Sequence, residues 1–113
     1  MFEPPIKRVS ASVLRQLFND SGYWEQYKNG QLQFVLRKSK HPSAPLANEP
    51  ICTQSQYITY VNEMGIKIAG VHQYLRPDGT LGLSGRPDPK EVLIDGILHI
   101  IETPESRSST SEE

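Results

Sequence analysis

A chain of 113 residues, 36% hydrophobic and 22% charged with a net charge of −1, suits one globular domain with a modest core rather than two domains or a strongly basic nucleic-acid-coating protein. Its single cysteine, Cys52, excludes an internal disulfide; the expected role is a small, buried, inert thiol in a reducing compartment. No apolar run approaches the roughly 20 residues that span a bilayer, and Met1–Ser10, MFEPPIKRVS, lacks the apolar stretch of a secretory signal, so a soluble cytoplasmic protein without membrane association is expected.

Met1–Val9 carries Pro4 and Pro5 and reads as a loosely held arm. Ser10 or Ser12 is placed to cap a helix whose apolar stripe is Val13, Leu14, Leu17 and Phe18. Asn19-Asp20-Ser21-Gly22 ends it. A short second helix is expected, with Tyr23, Trp24 and Tyr27 on one side, closed by Asn29-Gly30. That aromatic cluster reads as core or, alternatively, as a platform for base stacking. Gln31–Arg37 alternates, with Leu32, Phe34 and Leu36 on one face, the pattern of a half-buried strand. Lys38–Pro50 contains three prolines and reads as a long surface loop. Tyr57–Val61 and Ile66–Leu75 are strands rich in β-branched and aromatic residues, joined by a turn at Asn62-Glu63-Met64-Gly65.

Arg76-Pro77-Asp78-Gly79 is a second turn: proline presets φ, aspartate bonds back to the backbone and glycine takes the left-handed position. Thr80–Leu83 returns as a strand and Ser84–Pro89 is a loop. Val92–Ile94 and Ile97–Ile101 flank Asp95-Gly96, a strong hairpin signal. The expected fold is α+β, an N-terminal helix or helix pair packed on a four- to five-stranded antiparallel sheet. One domain covers 1–102, followed by a polar, serine-rich tail from Thr103 expected to be disordered.

The functional signal concentrates in VHQYLRPDGTLGLSGRPDPK, starting at Val71. Arg-Pro-Asp occurs twice, at Arg76–Asp78 and Arg86–Asp88, with Gly79, Gly82 and Gly85 in the interval. His72, Tyr74 and Arg76 share strand parity and so face one side. Arginine offers a planar fork to phosphate oxygens, and glycine lets backbone N–H groups approach an anion. The candidate catalytic residues are therefore His72 as general acid or base, with Arg76 and Arg86 on the phosphate. Tyr74, Ser84 and Lys90 are candidate binding residues beside them. Lys28, Arg37, Lys38 and Lys40, with no acidic residue between Glu25 and Glu49, are candidates to track a nucleic-acid backbone. The structural alternative is that each arginine pairs with its neighbouring aspartate to stiffen a turn.

The run HQYLRPDGTLGLSGRPDPK resembles the signature of a family of small uncharacterised bacterial proteins, a likeness covering about Gln56 to Val92 that implies a working unit without implying an activity. The order of elements, helix first and then an antiparallel sheet bearing His and Arg, is similar to the metal-independent endoribonuclease toxins of the RelE and barnase type. That likeness implies a ribonuclease acting without metal or cofactor. His41, His72 and His99 do not stand at metal-ligand spacing, and no P-loop or nucleophile-elbow motif occurs. Two readings of other classes remain open: a protein–protein interaction module using the Lys38–Pro50 loop and the Arg-Pro-Asp turns, and a homodimer joined through a sheet edge.

Overall fold

The computed structural model describes residues 3–40, 50–82 and 85–102. In chain order it forms β1 (Ile6–Val9), α1 (Ala11–Ser21), α2 (Tyr23–Lys28), β2 (Gln33–Lys40), β3 (Gln54–Val61), β4 (Lys67–Leu75), β5 (Asp88–Ile94) and β6 (Ile97–Ile101). The class is α+β, two helices packed on one sheet. The sheet has six strands in the order β1-β6-β5-β4-β3-β2 and is mixed, because β1 runs parallel to β6. The arm expected before the first helix is thus partly a strand: Ile6 pairs with Leu98 and Val9 with Ile101.

Local chemistry explains most element boundaries. Ser10 caps α1, its Oγ accepting from the Val13 N–H at 3.2 Å. Gly22, at φ 77°, ends α1 in the left-handed conformation and starts α2. Asn62 organises the β3–β4 turn, its side chain accepting from the N–H groups of Met64 and Ile66. Asp95 (φ 52°) and Gly96 (φ 77°) both take positive φ, the two-residue geometry that matches strand twist between β5 and β6.

The core lies between the helices and one sheet face. Leu14 and Phe18 from α1 and Trp24 from α2 meet Ile58, Tyr60, Ala69, Val71 and Val92. Tyr27 stacks on Tyr60 with ring centroids 4.7 Å apart, so the aromatic cluster of α2 is core. Val13 is 45% exposed and drops out of the expected helix stripe. The other sheet face is polar: Arg37 Nε donates to Thr59 Oγ1 at 3.2 Å, and the Tyr57 hydroxyl donates to Glu91, which also pairs with Lys67. Burial and the Glu91 carboxylate push the Tyr57 hydroxyl pKa well up.

β2 is an edge strand: Phe34 and Leu36 share the helix side as expected and remain 53% and 48% exposed. Two further expectations are corrected. Thr80–Leu83 does not return as a strand; within its described part a single bridge joins Leu81 to Leu75. Cys52 is exposed and sits at φ 75°, because it occupies the turn leading into β3. The expected tail and most of the proline-rich loop lie outside the described residues.

Candidate phosphate recess

The sheet opens where β4 and β5 part company. Their pairing ends at His72 opposite Asp88. Beyond it, β4 is met by the returning hairpin instead: Leu75 pairs with Leu81, and the Gly82 N–H donates to the Tyr74 carbonyl at 2.8 Å. The chain must leave this hairpin and re-enter the sheet at β5, and a recess of about 620 Å³ lies at the gap. Arg15, His72, Tyr74, Arg86, Asp88 and Lys90 line it, with Gln73 and Gly82.

Each charged group arrives from a different element. Arg15 projects from the exposed side of α1, one position beyond buried Leu14. Arg86 precedes β5 and is oriented by the helices: its Nη2 donates to Asn19 Oδ1 at 2.9 Å and lies 4.0 Å from the Glu25 carboxylate. Lys90 is the extra residue of a bulge, since Gly70 faces Glu91 while Val71 faces Pro89. Bulges re-aim a side chain and tolerate proline within a strand. Lys90 Nζ donates to Asp88 Oδ2 at 3.0 Å. Arg15, Arg86 and Lys90 therefore line the recess with three positive charges, Arg86 facing the Glu25 carboxylate and Lys90 that of Asp88.

His72 contributes an imidazole rather than a fourth cation. Its Nε2 is 2.6 Å from Ser55 Oγ across the β3–β4 pair, and Tyr74 meets the ring edge-on at 4.8 Å. Burial first, and then the nearby Lys90 charge, hold its pKa below the usual histidine value, with Asp88 opposing. A neutral imidazole is the form that accepts a proton.

This lowered pKa has a stability consequence with a definite sign. Below the ordinary value of 6.5 the unfolded chain takes up the proton that the folded chain resists, so stability falls as pH drops through that window. Urea midpoints at about pH 7.5 and pH 5.5 should differ less in His72→Gln than in the wild type. An unchanged difference would remove His72 as the cause.

Of the residues singled out from sequence, His72, Tyr74, Arg86 and Lys90 come together here. Arg76 does not join them. It opens the turn closed by the Gly79 N–H on its carbonyl, and its charge helps hold the Asp78 carboxyl pKa down, after the larger effect of the bonds from Thr80. The two Arg-Pro-Asp segments are also unlike: the first is a turn, while the second runs into β5 at Asp88. Arg37 and Lys38 lie on β2, two strands from β4, and Lys28 caps the Trp24 ring at 5.1 Å. Ser84 and the Lys40 side chain lie outside the described part. Arg15, Asp88 and Ser55 were not among the sequence candidates; the polar face of α1 gives no sign of what it will meet. Comparison with protein-family models, curated proteins and solved structures found no match.

Proposed function

We propose that this protein acts on nucleic acid by taking one backbone phosphate of a single RNA strand into the recess. The lining of one recess by Arg15, Arg86 and Lys90, from three elements, together with the His72 imidazole supports this reading. Three cations neutralise phosphate charge, and Tyr74 offers an aromatic surface to a neighbouring base. In the cleaving form of the proposal, His72 takes the proton of the adjacent 2′-hydroxyl. The 2′ oxygen then bonds to phosphorus, the 5′ oxygen leaves and takes a proton from water, and the cations hold the charge that builds on the phosphoryl oxygens. No metal or cofactor is invoked. Relative to the sequence reading, Arg15 replaces Arg76 at the phosphate.

The test is fluorescence anisotropy with a short single-stranded RNA across a salt series. Lys90→Ala and Arg15→Ala should each weaken binding by about 3- to 10-fold and lower the slope of log K against log salt by about 0.7. Incubation with mixed RNA in EDTA, wild type against His72→Ala, decides between binding and cleavage. Absence of salt-sensitive binding at about 50 mM salt would end the nucleic-acid reading.

A further inference from the structure

Edge strands present unpaired N–H and C=O groups and are normally blunted by charge, proline or a bulge. β2 closes one side of the sheet and has β3 as its only strand neighbour among the described residues. Its second half is blunted: a bulge falls at Arg37, and Lys38 follows. Its first half is not. Phe34, Val35 and Leu36 stand 53%, 41% and 48% exposed, with no charge among them. The opposite edge differs, since β1 is four residues long and carries Lys7 and Arg8.

We propose that Phe34–Leu36 is a dimerisation edge, pairing antiparallel with the same segment of a second copy about a two-fold axis through Val35. An isologous interface requires that if residue i meets j, then j meets i. About Val35 that condition is met chemically. Phe34 faces the partner's Leu36 and Val35 faces its own copy, so no like charges are opposed, and the bulge at Arg37 ends the ladder on each side. A foreign strand would not require this near-mirror order of aromatic, β-branched and aliphatic residues.

The register gives the two sides different work. Phe34 and Leu36 pair with Tyr60 and Ile58 and so lie on the helix side. There the Phe34 ring already meets Tyr27 edge-on at 5.4 Å, and Tyr27 stacks on Tyr60. The partner's Leu36 would cover the open end of this aromatic row and carry the core across the axis. Val35 pairs with Thr59 on the polar side. A ladder of about three residues per copy falls below the roughly 1,200 Å² of a standard interface, so the dimer is reversible. The proposal does not rest on the phosphate recess, which lies two strands away.

Sedimentation of the wild type from about 10 µM to about 1 mM should show the mass rising from that of a monomer toward twice it. Val35→Lys places two ammonium groups opposite each other at an already exposed site, and should stay monomeric over the same range with an unchanged circular dichroism spectrum. In a Cys52→Ser background, Val35→Cys should cross-link on mild oxidation, because opposed Cα atoms in an antiparallel pair lie about 4.5–5.5 Å apart. Lys28→Cys in the same background should not. A wild type that stays monomeric at about 1 mM, a dimer that survives Val35→Lys, or equal cross-linking from position 28 would each overturn the proposal. So would a monomer that instead binds a short acidic, β-prone peptide, an outcome that assigns the edge to a foreign strand.

Discussion

Gly70→Ala is expected to cost about 1–3 kcal/mol of stability, although alanine normally suits a strand better than glycine. The reason is on the polar face of the sheet. A Cβ at position 70 would stand 2.7 Å from Glu91 Oε2 and closer still to the Tyr57 hydroxyl. Those two groups are bonded to each other at 2.9 Å and lie across the glycine. Tyr57 cannot swing aside without breaking that bond and exposing a part-buried ring. Urea denaturation of Gly70→Ala, Tyr57→Phe and the double variant measures the effect. The double variant should lose less than the sum of the singles, because phenylalanine removes the oxygen that the new methyl strikes. Full stability in Gly70→Ala would show that the face relaxes freely.

Phe18→Ala should have the larger effect, about 3–5 kcal/mol, a large share of the roughly 5–15 kcal/mol that holds a domain together. Phe18 is 1% exposed and its ring lies 6.2 Å from that of Tyr60, at the contact between α1 and the sheet. The surrounding Leu14 and Val92 are held by their own elements and cannot refill the space. Val13→Ala, on the same helix but 45% exposed, should change stability by no more than about 0.5 kcal/mol. The pair of variants tests which part of the apolar stripe of α1 carries the core. Equal losses from the two would contradict the orientation of the helix.

Features set by near neighbours could be read from sequence. The Ser10 cap, the Gly22 stop, the Asn62 turn and the Asp95-Gly96 hairpin each depend on a few consecutive residues. Features set by distant partners could not. Ile6–Val9 is short and proline-flanked, and becomes a strand only because β6 lies beside it. Ser84–Pro89 reads as a loop, yet β5 begins at Asp88, the bulge at Lys90 accommodating Pro89. At the recess, alternation correctly put His72 and Tyr74 on one face. It failed at Arg76 because β4 ends at Leu75, and parity says nothing past the end of a strand. Arg15 was invisible for a related reason: helical spacing predicts which side of α1 is buried, but not which gap in the sheet its exposed side will overlook.

The parallel seam between β1 and β6 joins segments separated by nearly the whole described chain. Such a pairing gains nothing until the loop between the two segments has been closed. Until it forms, β6 presents a bare template, Ile97-Leu98-His99-Ile100-Ile101, to any other nascent molecule. Yield on refolding should therefore fall as protein concentration rises, and trimming the segment before α1 would leave that hazard permanently exposed.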